Sequence, residues 1–399
     1  MGLKNRQEEV KKLLPLEKLR REEVEERGTA SISAQPAHTI IIPAYNEEQG
    51  LPVVLEKILK LIDDSFEILI VDDGSTDNTA AVARRYPCRL IRHKINRGKG
   101  AAMKTGIQNA RGENIIFIDA DDTYPAETIL EIAAALEDYD YVVASRSKGK
   151  QNIPAFNRIG NAIFRNSIRY IYGFKAYDPL TGLYGLKKTH LEKMDLHSRG
   201  FGIESEIAIK AAAMGLKIKD IPIVYRERIG KAKLNGLRDG YRIGCTILKH
   251  LPLYNPTLAF ILPGLLLFLA GLTAMIGFVK EPQQVRGIAA SLLMLAGFQV
   301  VTLGVASKLY GLVHKNRKPS PLMMFFLRSR VDRKLILFSF AIILLSAASL
   351  LMVAKGQPGM EVYSFPLLTG GLLGVLLFFA TIFLSIFVPD VSSRSIKLS

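Results

Sequence analysis

The chain has 399 residues, a formal net charge of +16 and only two cysteines, Cys88 and Cys245. That pair, with no Cys/His cluster nearby, excludes a disulfide-stapled secreted scaffold and a zinc site, and predicts reducing surroundings for the polar part of the chain. With 49% hydrophobic residues a wholly disordered chain is excluded as well. The apolar excess is uneven: from Leu251 onward there are 13 Lys/Arg and 4 Asp/Glu in 149 residues, against 40 and 33 in the preceding 250.

Residues 1–28 carry eight basic and seven acidic side chains and no apolar core of a signal peptide, so they read as a solvated helix or loose arm that is not exported. Residues 28–37 read as a linker. Strand-like runs then follow at 38–43, 66–71, 114–118, 139–144, 180–186 and 218–225, with helical patterns at 47–62, 76–85, 100–110, 126–136 and 201–214. Such alternation predicts an α/β domain built on a mostly parallel sheet. Ligands of these sheets bind beyond the carboxyl ends of the strands.

Three strands run into polar clusters. The first reaches Pro43-Ala44-Tyr45-Asn46-Glu47-Glu48, the second Asp72-Asp73-Gly74-Ser75-Thr76-Asp77, the third Asp119-Ala120-Asp121-Asp122. One acidic strand end is most simply a turn or a helix N-cap. Three at one edge repel each other unless a cation joins them, and hard oxygen ligands suit Mg²⁺ or Mn²⁺ bridging a diphosphate.

The PAYNEE, VDDGSTD, NRGKG (96–100) and IDADDTYP segments, in this order, resemble family 2 glycosyltransferases with the GT-A fold, a Rossmann-like mixed sheet, over about residues 38–235. The resemblance implies a nucleotide pocket lined by Pro43, Tyr45 and Glu47, with Asp73 on the base. It makes Asp119 and Asp121 the catalytic pair that holds Mg²⁺ or Mn²⁺ and the diphosphate of a nucleotide-diphospho-sugar. Thr123, the third metal-site position, stands where polyprenyl-phosphate mannose synthases often carry a ligating Gln.

The acceptor side has two further signals. Residues 154–173 interleave Phe156, Ile159, Ile163, Phe164, Ile168 and Ile171 with Arg158, Arg165 and Arg169, the pattern of a helix lying in a membrane interface or of an ordinary amphipathic packing helix. Residues 225–235 form a basic loop suited to closing over a phosphate, or a charged linker. Both resemble the acceptor elements of the dolichol-phosphate mannose or glucose synthase group. By that resemblance Arg146 and Arg158 contact a polyprenyl (dolichyl) phosphate, joined by Arg228 and Lys233 of an R-x-x-G-x-S-K loop in which Ala232 replaces the usual Ser. Residues 200–207 resemble the group's acidic helix start. A phosphate monoester, with a second pKa of about 6, is already a nucleophile at neutral pH and needs no general base. The expected reaction is inverting transfer of a hexose from GDP-mannose, UDP-glucose or UDP-GlcNAc to that lipid phosphate.

Runs at 257–279, 287–307, 335–354 and 365–389 are long and apolar enough to cross a membrane. They lack ionisable residues near their centres, which argues against a transporter. The link at 308–334 carries eight Lys/Arg, against two and one in the other links, so the catalytic body and the C-terminus are expected in the cytoplasm. The expected organisation is an N-terminal extension (1–37), a catalytic domain (38–235), a juxtamembrane interface helix (236–256), four spans (257–389) and a tail (390–399). Two alternatives stay open: transfer to a lipid hydroxyl, with Glu204 or Glu206 as base, and a non-catalytic scaffold or flippase subunit. The lack of Trp excludes the Gln-x-x-Arg-Trp motif of processive synthases. No motif points to nucleic acid, and the loops account for the positive charge.

Overall fold

A computed structural model of the chain describes residues 35–149, 155–230, 233, 236–314, 331–355 and 361–385. The N-terminal arm, most of the basic link at 308–334, Ala232 and the C-terminal tail lie outside these. The elements alternate as β1 (His38–Ala44), α1 (Gly50–Leu59), β2 (Phe66–Asp72), α2 (Thr79–Ala83), β3 (Arg89–Arg92), α3 (Lys99–Asn109), β4 (Asn114–Phe117), α4 (Thr128–Ala135) and β5 (Tyr141–Lys148). There follow α5 (Ala155–Tyr172), β6 (Tyr184–Lys187), α6 (Lys188–Lys193), α7 (Ile203–Met214), β7 (Ile218–Val224) and α8 (Gly236–Tyr254).

The seven strands form one sheet in the order β3-β2-β1-β4-β6-β5-β7. Strands β3, β2, β1 and β4 are parallel; β6 runs antiparallel between β4 and β5. The chain runs from β1 through β2 to β3 on one side and then crosses back to β4 on the other side of β1, which opens a crevice at the carboxyl ends of β1 and β4. Because strand side chains alternate between faces, Ile40, Ile42, Ile68 and Ile70 pack with Leu51, Leu55 and Ile58 of α1. Ile41, Leu69, Val71 and Phe117 face the other way, against Met103 and Ile107 of α3 and Ile203 and Ile207 of α7. All of these are almost fully buried, so trimming one Ile to Ala costs about 2–5 kcal/mol.

Strand β3 and the short α6 have no counterpart in the sequence reading. Only Leu90 and Ile91 mark β3, between two arginines, which is too little for a periodic signal. Leu180 lies before β6, whose run begins later than expected because the preceding segment, 178–182, turns under the site.

Helix α5 packs beside α8. The Tyr172 hydroxyl donates to the Ile247 carbonyl, and the Asn255 amide donates to the Ile171 carbonyl at 2.6 Å. A π-helical turn (Thr257–Ile261) leads into α9 (Leu262–Lys280), followed by α10 (Gln284–His314), α11 (Val331–Ala354) and α12 (Ser364–Ser385). Within them lie four segments long and apolar enough to cross a membrane: Thr257–Lys280, Gln284–Gly311, Lys334–Ala354 and Ser364–Phe383. Where lipid offers no hydrophobic drive between helices, contacts of small and hydroxylated residues take over. Thr369 of α12 donates to Ser291 of α10 at 2.6 Å, beside an edge-on contact of Phe278 and Phe365.

Candidate active site

The turns after β1 and β2 are laced together. The Asn46 N–H donates to Ser75 Oγ at 2.9 Å, the Thr76 N–H to Asn46 Oδ1 at 2.8 Å, the Glu47 N–H to Thr79 Oγ1 at 2.8 Å and the Asn78 N–H to Glu48 Oε2 at 3.0 Å. Asn46 has φ +53°, a left-handed conformation that Asn tolerates better than most residues. Much of both motifs thus builds the rim of the crevice. Pro43 and Tyr45 are half-buried along it.

Asp73 is engaged within this rim. Its carboxylate lies 2.6 Å from His93 Nδ1 and accepts the N–H groups of Arg97 at 3.0 Å and Gly98 at 2.7 Å, which fixes the glycine-rich turn. Gly98 has φ +94°, and a Cβ there would sit 2.4 Å from the Arg199 carbonyl oxygen, so only glycine lets the turn meet the loop before α7. The fully buried Asp72 lies beside it, its Oδ2 3.0 Å from Arg92 Nε of β3.

Asp119 and Asp121 follow β4, each matched by cations from other segments. Lys99, at the start of α3, places Nζ 2.6 Å from Asp119 Oδ1 and 2.7 Å from Glu204 Oε1 of α7. Burial disfavours the Lys99 charge, but these two carboxylates outweigh it and hold the ammonium protonated. Asp121 accepts from Thr123 Oγ1 at 2.6 Å and pairs with Arg228 Nη1 at 2.7 Å. Burial first, and the Asp119 charge second, raise its pKa. The same Arg228 donates to Glu47 at 2.6 Å, and Lys233 reaches Glu47 at 2.5 Å and the Asn46 carbonyl at 2.6 Å. Burial also raises the Glu47 pKa. Arg228 and Lys233 belong to the segment after β7, which is bound over the third cluster: the Arg226 N–H donates to the Thr123 carbonyl at 2.8 Å and the Ile229 N–H to that of Asp121 at 3.0 Å.

Thr123, expected beside the metal, is buried with its hydroxyl proton on Asp121, so it orients that carboxylate. Gly182 gives Asp119 its space: a Cβ there would lie 2.2 Å from Asp119 Oδ2. The Gly182 N–H donates to the Tyr124 hydroxyl at 2.7 Å, which secures the close approach.

Of the residues expected at the acceptor, Arg228 and Lys233 converge on Glu47, and Arg228 also reaches Asp121. Arg146 is drawn elsewhere: its Nε and Nη2 lie 2.6 and 3.1 Å from the two oxygens of Asp178, and Nη2 also donates to the Leu180 carbonyl. Burial opposes the Asp178 charge, yet Arg146 holds that carboxyl below its usual range. Arg158 is exposed on the first turns of α5. Glu206 accepts from the N–H groups of His197 and Ser198 and from Lys210 at 2.5 Å. Despite burial, these donors and His250 hold it far below the carboxylate range. Lys99, Asp178 and Gly182 have no role in the sequence reading, although Lys99 stands inside the NRGKG segment and the other two bound the 178–182 turn; their roles depend on partners 20 to 105 residues away.

The chain matches the Glycosyl transferase family 2 profile over residues 39–193. It is 32% identical over 212 residues to a dolichyl-phosphate hexose transferase of Haloferax volcanii, covering 53% of this chain and 92% of that protein. It is 30% identical over 225 residues to a dolichol-phosphate mannosyltransferase of Pyrococcus furiosus, covering 51% of this chain and 63% of that one. Among solved structures, glucosyl-3-phosphoglycerate synthase of Mycobacterium tuberculosis aligns with a TM-score of 0.43 and 21% identity, over 54% of this chain and 80% of its own. With its mixed seven-stranded sheet and acidic strand ends, the chain belongs to glycosyl transferase family 2 and has the GT-A fold.

Proposed function

We propose that the protein is a membrane-bound, metal-dependent hexosyltransferase that moves a sugar from a nucleotide-diphospho-sugar to a polyprenyl or dolichyl phosphate, with inversion at the anomeric carbon. The observation that carries this reading is Arg228, a cation on the segment leading to α8 and the spans, paired at once with Glu47 and Asp121. A cation from the membrane side therefore meets the carboxylates from the nucleotide side.

The residues fit a hard divalent ion. Two strand-end carboxylates lie close enough for Asp119 to raise the Asp121 pKa, and both are held by side-chain cations. Among the described residues no three acidic, His or Cys side chains gather as a complete metal site. Mg²⁺-type sites often use one or two carboxylates and take their remaining ligands from substrate phosphates and water. Asp119 and Asp121 would hold the ion, which would neutralise charge on the departing nucleoside diphosphate. Arg228 must leave Asp121 for this, since the other Asp121 oxygen accepts from the buried Thr123. Freed guanidinium and the Lys233 ammonium then face incoming phosphate, where charge-assisted bonds are strong.

The acceptor reading is supported by the two glutamates of α7. Glu204 is buried against Lys99, and Glu206 is bound by Lys210 and two backbone donors. Neither stands open as a base, which suits an acceptor already ionised. Arg158 contacts the lipid phosphate in this reading, and Arg146 keeps the 178–182 segment against Asp119. Pro43 and Tyr45 line the nucleotide, with Asp73 shaping the turn beside the base. The catalytic domain faces the cytoplasm, the side on which the basic link between the second and third spans is retained.

The test is incubation of the purified protein with Mg²⁺ or Mn²⁺, a polyprenyl phosphate and labelled GDP- and UDP-sugars. Label is expected in an acid-labile, organic-soluble product from one donor. Transfer only to a lipid alcohol or diacylglycerol would replace the phosphate acceptor by a hydroxyl, and no transfer from any donor would leave the scaffold reading.

A further inference from the structure

At about 100° per residue, positions 158, 165 and 169 of α5 fall within roughly 40° of one another, so three arginines form a stripe along one flank. Ile168 is buried on one side of that stripe, while Ile159, Ile163 and Tyr170 are 65, 58 and 81% exposed on the other. Two of the three arginines share an aromatic partner: the Arg165 guanidinium lies 4.6 Å and that of Arg169 5.8 Å from the centre of the Tyr177 ring. Among the described residues neither has a carboxylate partner, and the Nε of each is buried without a hydrogen bond. The acids bonded to this segment are otherwise engaged, Asp178 by Arg146 and Asp220 by the Ser145 hydroxyl and the Tyr177 N–H.

The height of this pair is set by Asn255. Its amide holds the Ile171 carbonyl, in the last turn of α5, two residues before the first apolar span begins at Thr257. With that span in a membrane, Arg169 stands next to where the chain enters the bilayer, within reach of the phosphate headgroups, and Arg165 one turn away. Arginine at that depth keeps its stem along apolar surface and its head among the phosphates.

We propose that Arg165 and Arg169, stacked on Tyr177, bind the phosphate of an anionic bilayer phospholipid, at a site separate from that of the acceptor. Planar guanidinium groups bond phosphate oxygens in pairs, and the tyrosine face holds both side chains in place before the ligand arrives. Arg158 is seven residues away, roughly 10 Å along the helix axis, so the two phosphate sites are distinct. The site rests on the membrane reading of the four apolar helices.

The test uses the full chain in detergent, with phosphatidylglycerol and phosphatidylcholine as separate probes and bound lipid counted by native mass spectrometry. One phosphatidylglycerol is expected with a preference of about thirtyfold over phosphatidylcholine, roughly fivefold for each arginine. The R165Q/R169Q variant should lose that preference, and R165K/R169K, which keeps charge without the planar fork, should lose several-fold of it. A preference equal to wild type in either variant overturns the proposal. So does displacement of the lipid by added farnesyl phosphate, which would assign the pair to the acceptor. Failure of the membrane reading is seen separately, as a protein that stays in solution without detergent.

Discussion

Two sets of ion pairs surround the carboxyl edge of the sheet, made of the same residue types and opposite in character. The Arg146–Asp178 and Lys210–Glu206 pairs are closed to solvent, and both acids also accept backbone N–H groups. Both carboxyls lie below their usual pKa. Arg228 and Lys233 stay 29 and 24% exposed, on a connecting segment, and the acids they meet, Glu47 and Asp121, lie above theirs. A buried carboxylate whose donors outweigh its desolvation is a finished structural joint. One whose cations leave it short of compensation is a place for further positive charge. Under the proposed function, the division separates the residues that build the crevice from those that would act in it.

The sharpest way to break that division is Asp121→Asn. Turnover should fall by about a thousandfold or more, as when a main electrostatic contact is removed. The thermal midpoint should be equal to wild type or higher, because an acid whose folded pKa is raised opposes folding at neutral pH. Undiminished turnover would remove Asp121 from the metal pair. Asp178→Ala should do the reverse at the level of the fold, with a loss of about 3–5 kcal/mol as Arg146 is left buried and unpaired, measured by denaturant unfolding. A change under about 1 kcal/mol would show that Arg146 has another partner.

Arg228→Gln should act more mildly. The acceptor KM should rise about tenfold, a difference of roughly 1.4 kcal/mol, while Mn²⁺ binds more tightly in the absence of acceptor because Asp121 is released. A weaker Mn²⁺ site, read by electron paramagnetic resonance, would contradict the exchange of partners. The smallest effect belongs to Glu206→Gln. A depressed folded pKa contributes stability that is present above the unfolded value, about pH 4, and is lost as pH falls toward the folded one. The wild-type midpoint by circular dichroism should therefore drop steeply below about pH 5, and that of the variant less so.

The chain announces the carboxylates of this crevice more plainly than their partners. Strand ends such as 119–122 are visible because an apolar run stops at them, and the apolar helices because their length exceeds what a soluble core needs. Lys99 sits inside a recognisable turn, yet its burial between Asp119 and Glu204 depends on α7, more than a hundred residues later. Arg146 was legible as a cation after a strand but not as the partner of Asp178, 32 residues on. Asp73 reads as a ligand contact through the resemblance alone; only the folded turn brings His93, Arg97 and Gly98 to it. Local pattern exposes where charge collects, and the topology decides which charges cancel.

Gly182 gives this site an evolutionary fragility. The atom it lacks would stand 2.2 Å from Asp119 Oδ2, beside a backbone otherwise packed under Tyr124. A single-base change to alanine adds one methyl group where the Asp119 carboxylate rests, while the sheet, its core and the apolar helices keep their contacts. Under the proposed function, a duplicated copy of the gene carrying that change would fall silent without unfolding.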